Sequence, residues 1–337
     1  MTATHWPILS FHPGRAQFFD RDCALEYSGS LAAPERGTLL EQCDAAFADA
    51  KTAADPDRRE DIAGRLHWDP ADRELREFLS LVRERARQAG GLRLVSREAL
   101  QLPAEALRLG GEWSTSFPIV RMHARDAGLG FGDAYAHASS EEPGGRRPYR
   151  KLVWFNPAGE PELPAARSEA QAVFDQLEQA PGPTRFIARS LSDHEWYELY
   201  DSHDLVFYFG HGETVAGHPA ILTKNGRAPF FAPPGFGASG ANGAGRRCLV
   251  FAACLRGGEQ LLFRNQAGAI VYPVCRLADR PAEFLLDFCR ALAKGGASIP
   301  EAMLAACQAD AASGDIRRFL FRLQGAGESL ACDATPA

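Results

Sequence analysis

The sequence LVFYFGHGE, residues 205–213, is the most informative segment of the chain for its fold. Five apolar residues run without a polar break and stop at a histidine between two glycines. The stretch CLVFAAC, residues 248–254, shows the same pattern and stops at a cysteine. Continuous apolar runs of this length are typical of strands buried on both faces of a parallel sheet. Both stretches therefore predict central strands that end at residues able to do chemistry.

Similar short apolar runs recur along the chain and alternate with helical patterns. After the first ninety residues, the predicted strands cover 92–95, 118–122, 151–155, 185–188, 204–209, 247–253 and 269–274. Alternation of strands and helices on this scale predicts a mostly parallel central sheet flanked by helices on both faces. The expected fold class is therefore α/β, with three layers.

Helical patterns fill the intervals between these strands. Residues 72–88 place apolar side chains three and four positions apart, which predicts an amphipathic helix. Ser168 and Ser192 each precede a Gln or Glu by three residues, so each is predicted to begin a crossover helix with a capping box. The C-terminal quarter returns to helix over 281–294 and again after Ser298.

The chain is predicted to be one α/β unit with an N-terminal addition. Short apolar pieces before residue 30 predict strands there. Residues 1–60 are assigned to the addition, 61–312 to the main domain and 313–337 to a C-terminal tail. The stretch 226–247 is rich in Gly, Ala and Pro, and it predicts a long loop that is either functional or mobile.

Composition and charge exclude several classes of function. The 337 residues are 45% hydrophobic and 24% charged, which is ordinary for a folded domain. The formal net charge of −6 gives no positive field that would attract nucleic acid or anionic lipid. Eight cysteines without a C-x-x-C pair predict buried thiols in a reducing compartment. We expect a cytoplasmic protein that binds neither nucleic acid nor membrane.

His211 and Cys254 are the predicted catalytic pair. In open α/β sheets, ligands bind at the carboxyl ends of the strands, where both residues stand. A thiol becomes a competent nucleophile as its thiolate, and a nearby imidazole can take its proton and later protonate a leaving amine. The backbone N–H groups of Gly212 and Cys254 are the predicted oxyanion donors. We expect no metal and no cofactor.

These residues resemble the CHAT domains, the branch of the caspase-like cysteine peptidases that also includes separase-like proteases. The resemblance rests on the Gly-His-Gly and Ala-Cys strand ends and on the order of histidine before cysteine. The segment LPAEAL at 102–107, the pair Asn156-Pro157 and the block 269–302 are similar to other parts of these domains. Cys254 departs from the family pattern, because Leu255 follows it where an acidic residue is common.

The resemblance implies a cysteine endopeptidase that cleaves one or a few specific proteins. Family members that cut after Arg or Lys use an acidic residue in the S1 pocket; here Asp279 is the first candidate and Glu213 the second. Asp279 is alternatively a cap of the helix that follows it. The resemblance also implies a role in bacterial antiviral defence or regulated cell death, with a gasdermin-like pore-forming protein as substrate and an activating partner. The alternative is a catalytically silent CHAT-fold module that binds a peptide without cutting it.

Overall fold

The computed structural model describes residues 6–12, 14–20, 23–29, 31, 55–96, 104–122, 149–159, 162–215, 218–229, 248–253, 269–273, 283–295, 297–314 and 317–325. The helices in these residues are α1 (Pro56–Leu66), α2 (Arg73–Ala89), α3 (Pro164–Glu178), α4 (Asp193–Ser202), α5 (Glu283–Ala293) and α6 (Ile299–Ala312). The strands are β1 (Ile8–His12), β2 (Arg15–Phe19), β3 (Ala24–Ser28), β4 (Leu92–Ser96), β5 (Ile119–Met122), β6 (Lys151–Phe155), β7 (Thr184–Ala188), β8 (Leu205–Phe209), β9 (Gly212–Val215), β10 (His218–Thr223), β11 (Gly226–Pro229), β12 (Cys248–Ala252), β13 (Ala269–Pro273) and β14 (Phe321–Gly325). None of these helices is long and apolar enough to cross a membrane.

The main sheet is mixed and mostly parallel. Its strand order is β3-β2-β1-β4-β5-β14-β13-β12-β8-β6-β7. Strands β7, β6, β8, β12 and β13 are parallel to one another. Strand β14 is antiparallel to β13 and parallel to β5, so two parallel blocks of opposite direction meet at that ladder. A separate antiparallel sheet, β11-β10-β9, follows β8 directly along the chain.

Helices cover both faces of the main sheet. Side chains alternate along each strand, so the buried strands present apolar side chains to both faces. On one face, Phe207 and Val250 pack with apolar residues of α3, α5 and α6. On the opposite face, Tyr208 and Phe251 pack with residues of α4, and Leu94 packs with residues of α2. All five residues of β8 are buried, as the continuous apolar run requires. The expected three-layer α/β class is confirmed.

Most elements predicted from the sequence are confirmed to within two residues, with one correction. The capping boxes at Ser192 and Ser298 are both present. The prediction that Ser168 begins a helix is wrong, because α3 begins four residues earlier at Pro164. Proline supplies the φ of a first helical turn without needing its missing N–H. The Ser168 hydroxyl instead donates to the Pro164 carbonyl inside the helix.

Both ends of the described chain belong to the main sheet. The N-terminal strands β1, β2 and β3 continue it beyond β4, and β1 pairs with β4 in parallel. The residues that the sequence assigned to a C-terminal tail include β14, which pairs with β13 and β5. In the Gly-rich stretch, residues 226–229 form β11, whereas 230–247 lie outside the described residues.

Buried ion pairs join β5 to β14, the neighbouring strand at the junction of the two blocks. Glu105 accepts two hydrogen bonds from Arg121 of β5, at 2.9 and 2.6 Å, and lies 3.2 Å from the guanidinium of Arg322 of β14. Burial alone would raise the pKa of Glu105, but the two guanidinium groups outweigh it and hold that pKa below its ordinary value. The carboxylate is therefore charged and ties β5 to β14.

A second, partly buried carboxylate joins the segment between α1 and α2 to the C-terminal part of the chain. Glu112 accepts hydrogen bonds from Arg318 at 2.7 and 3.1 Å and contacts Nε2 of His67 at 2.8 Å. Burial opposes ionisation of Glu112, but the hydrogen bonds of His67 and Arg318 and the charge of Arg318 lower its pKa to about 2. Glu112 therefore stabilises the fold in its charged form.

Candidate active site

The two predicted catalytic residues follow strand ends that lie in register. Phe209, the last residue of β8, pairs directly with Ala252, the last residue of β12. His211 stands two positions after Phe209, and Cys254 stands two positions after Ala252. His211 is within the described residues, whereas Cys254 lies outside them. The structure thus brings together the two strand ends that the sequence singled out.

Gly210 allows the chain to turn sharply between β8 and His211, because it has no side chain where the neighbouring atoms are close. A Cβ atom on Gly210 would lie 2.9 Å from the Tyr208 hydroxyl oxygen and 3.0 Å from the Asn156 carbonyl oxygen. A side chain there would displace the Tyr208 hydroxyl and crowd the Asn156 backbone, so this position favours glycine. The Tyr208 hydroxyl lies beneath this turn and donates a hydrogen bond of 2.8 Å to the carbonyl of His211.

The imidazole of His211 packs against the loop that follows β6. A Cβ atom on Gly159 would lie 2.6 Å from Cδ2 of His211 and 2.8 Å from Cδ1 of Leu222. Gly159 also has a φ of +105°, a conformation that side-chain-bearing residues rarely adopt. The half-exposed imidazole therefore has one ring edge held by this loop.

Asn156 organises the same loop. Its side chain is buried at the end of β6, where Oδ1 accepts from the N–H of Ala158 and from the hydroxyl of Ser190, each at 3.2 Å. Nδ2 donates to the carbonyl of Leu222 at 2.7 Å and lies 3.4 Å from the Tyr208 hydroxyl. Sequence reasoning did not assign Asn156 to the site. The available signal was a polar residue directly after a fully apolar strand.

A row of aromatic side chains on one face of the main sheet supports the candidate site. Register places Trp154, Tyr208, Phe251 and Tyr272 side by side across β6, β8, β12 and β13, on the face that α4 covers. The rings of Trp154 and Tyr208 are edge-to-face with centroids 5.0 Å apart, and those of Tyr208 and Phe251 are 6.2 Å apart. Such pairs are favourable and directional, so the row holds the Tyr208 ring, and with it its hydroxyl, in place.

The N–H of Gly212 points away from its neighbouring strand. Two residues separate β9 from β10, so Val215 and His218 form the hydrogen-bonded pair that closes the hairpin, and pairs alternate from there. Gly212 and Ile221 therefore form a non-hydrogen-bonded pair, the class that also contains Pro219 with its missing N–H. This alternation directs the Gly212 N–H toward the outer side of β9.

Of the two acidic residues considered for substrate binding, the structure describes one. Glu213 forms an ion pair with Arg227 across the small sheet, from β9 to β11. Its side chain is 30% exposed, so this pair lies near the surface. Asp279 lies outside the described residues.

The described cysteines other than Cys23 are buried and chemically unactivated. Cys248, Cys289 and Cys307 pack inside the apolar core, and burial raises the pKa of each thiol above its ordinary value. Their packing confirms that they serve as small apolar side chains, as the sequence predicts. Among the described residues, no group of three or more His, Cys, Asp or Glu side chains could hold a metal ion.

Comparison with known proteins finds likeness in structure alone. No family model matches the chain, and no curated protein does. Among solved structures, the chain is similar to the Arg-specific cysteine proteinase gingipain R, with 11% sequence identity and a TM-score of 0.44. The match covers 88% of this chain and 75% of that one.

Proposed function

We propose that the chain is a cysteine endopeptidase of the caspase-like, CHAT-domain type, with His211 and Cys254 as its catalytic dyad. The observation that carries the proposal is the register of the β8 and β12 ladder. Since Phe209 pairs with Ala252, the imidazole and the thiol each follow by two residues from directly opposed positions on neighbouring parallel strands. Strand ends of this kind are where α/β proteins build their ligand sites.

The dyad accounts for both halves of peptide hydrolysis. His211 takes the proton of the Cys254 thiol, and the thiolate sulfur adds to the scissile carbonyl carbon. The C–N bond then breaks, the leaving amine takes the proton from His211, and a thioester remains. A water molecule attacks the thioester while His211 takes its proton. The C–S bond breaks, the amino-terminal fragment leaves with a new carboxyl group, and His211 returns the proton to the sulfur.

Two backbone amides are proposed to stabilise the oxyanion. The outward direction of the Gly212 N–H supports its part in this role, and the N–H of Cys254 is the second donor. Donors fixed in advance by the backbone stabilise developing charge without reorganising during the reaction. Because Gly212 follows His211 directly, the proton carrier and this donor would move together as one segment.

For the substrate, we propose one or a few specific proteins cut after a basic residue. The ion pair of Glu213 with Arg227 favours Asp279 as the acid that would bind this residue. A gasdermin-like pore-forming protein within a bacterial antiviral defence or cell-death system is the proposed substrate class. An activating partner in the cytoplasm is proposed to control cleavage.

Cleavage-site profiling tests the proposed activity. A proteome-derived peptide library is incubated with the full chain, with Cys254→Ala and with His211→Ala, and new termini are identified by mass spectrometry. We expect cuts that only the unaltered chain makes. Cuts that persist in Cys254→Ala would contradict the proposal. If no sample cuts, labelling of Cys254 by a peptide-like electrophile distinguishes a latent peptidase from a module that only binds peptides, in which Cys254 would stay unlabelled.

A further inference from the structure

The loop from Asn156 to Gly159 forms the wall against which the His211 imidazole packs. The contact is close, since a Cβ on Gly159 would lie only 2.6 Å from Cδ2 of the ring. A shift of this loop would therefore change the space that the imidazole occupies. What fixes the loop also determines where the ring can lie.

Asn156 holds the loop with two hydrogen bonds, one within the loop and one to β10. Its Oδ1 accepts from the N–H of Ala158, next to Gly159, and its Nδ2 donates to the carbonyl of Leu222 on β10 at 2.7 Å. Asn156 is 1% exposed, so water does not compete for these bonds. A buried amide with several partners stabilises one local arrangement over others.

The same side chain reaches the backbone of His211 by a second route. Nδ2 of Asn156 lies 3.4 Å from the Tyr208 hydroxyl, which donates to the His211 carbonyl at 2.8 Å. The wall beside the imidazole and the backbone that carries the imidazole are thus tied to one side chain. Neither tie touches the reacting atoms.

We propose that Asn156 is a positioning residue that sets the orientation of the His211 imidazole, an inference that rests on the proposed function of His211. The amide chemistry is required as well as its shape. An aspartate of the same size would place a carboxylate oxygen where Nδ2 now donates to the Leu222 carbonyl, so two acceptors would face each other. Asn156→Asp therefore displaces the loop while it preserves side-chain volume.

Nuclear magnetic resonance of the full chain with isotope-labelled histidine tests this role. The His211 ring signal is identified by its absence from His211→Gln. In the unaltered chain, we expect a cross-peak between the ring proton on Cδ2 and the α protons of Gly159. In Asn156→Asp, we expect loss of that cross-peak and a shift of the ring signal. Asn225→Asp is the matched control, because Asn225 is exposed in the turn between β10 and β11, and it should leave both features unchanged.

Three results would overturn the role of Asn156. One is the absence of the cross-peak from the unaltered chain, which needs no variant to fold. Another is an unchanged ring signal in folded Asn156→Asp. If that variant does not fold, an unchanged ring signal in Asn156→Ser, which is smaller and uncharged, is the third. The spectra do not depend on proteolysis. A chain that cuts nothing and whose Cys254 stays unlabelled by the electrophile, but that shows the expected response, loses the proposed function alone. An active peptidase with unchanged spectra loses only the role of Asn156.

Discussion

The hydroxyl of Tyr208 donates a hydrogen bond of 2.8 Å to the backbone carbonyl of His211, three residues later in the chain. The donor belongs to the core strand β8, and the acceptor belongs to the segment that follows it. The bond therefore connects the rigid aromatic row across the sheet to the residue proposed to move protons. The candidate site is therefore held by a residue of the core sheet as well as by the loop that contacts the imidazole.

Removal of this hydroxyl tests the support. Tyr208→Phe keeps the ring and its contacts with Trp154 and Phe251 but leaves the His211 carbonyl without this donor. We expect the free energy of unfolding in urea to fall by about 1 kcal/mol, the usual net value of one such hydrogen bond. The slope of unfolding free energy against urea should not change. Stability equal to that of the unaltered chain would contradict this support.

A comparison of Gly159 with Gly226 distinguishes the effect of backbone strain from the effect of contact with the His211 imidazole. Gly159 and Gly226 have similar φ values of +105° and +115°, but a Cβ would meet the His211 ring only at Gly159 and would meet nothing within 4 Å at Gly226. Gly159→Ala and Gly226→Ala should each lose about 1–3 kcal/mol of stability, because alanine is strained at positive φ.

Reactivity should distinguish the two alanine variants. Only Gly159→Ala should also slow alkylation of Cys254 by iodoacetamide, by about tenfold or more, since a displaced imidazole no longer meets the thiol in a reactive geometry. Mass spectrometry of the peptide that contains Cys254 measures the rate. Equal rates in both variants would show that the Gly159 contact does not position His211.

Glu112 should make stability depend on pH in the acid range. Its pKa of about 2 in the folded chain lies below the ordinary value of 4.5, so its stabilisation is complete above about pH 4.5 and is lost as the pH falls toward 2. We expect Glu112→Gln to lower the unfolding free energy at pH 7 by about 2 kcal/mol, because Arg318 and His67 lose hydrogen bonds to a charged carboxylate. Urea unfolding at pH 7, 5, 4 and 3 measures the difference between the two proteins.

That difference should shrink below pH 4.5. Glu60→Gln is the matched control, because Glu60 is exposed on α1, and it should change stability little at any of these pH values. A Glu112→Gln effect that is the same at pH 3 as at pH 7 would contradict the charged state assigned to Glu112.

Substrate preference should distinguish the two acidic candidates. Because Arg227 already pairs with the Glu213 carboxylate, Glu213→Gln should leave the residue preference at the cleavage site unchanged. Asp279→Asn should lower kcat/KM for peptides with Arg or Lys there by about tenfold or more, the value of a lost charged hydrogen bond. Cleavage of matched peptides with Arg and Ala at that position measures both. The reverse pattern would assign the pocket to Glu213.

Local chemistry made much of the fold predictable. The run 205–209 indicates a strand buried on both faces because no polar residue interrupts it, and Ser192 with Glu195 indicates a helix start because their bonds are made within four residues. Ser168 shows the limit of that logic, since the same spacing lies inside a helix that Pro164 begins.

Long-range pairing was not predictable in the same way. Strand β14 contains Arg322, whose buried guanidinium pairs with Glu105, more than two hundred residues away in the chain. The same holds for the site. His211 could be singled out from its neighbouring glycines, but Asn156 becomes a candidate only when β6, β8 and β10 are seen side by side.

The pH dependence of Cys254 alkylation shows whether His211 activates Cys254. The rate is measured with iodoacetamide from pH 5 to 9 in the unaltered chain, in His211→Ala and in the control His203→Ala, whose half-buried imidazole caps α4. We predict that Cys254 in the unaltered chain and in the control reacts with an apparent pKa well below the ordinary thiol value of about 8.5. His211→Ala should return that pKa to about 8.5 and slow the reaction at pH 6 by about tenfold or more. The same profile in all three proteins would contradict the dyad.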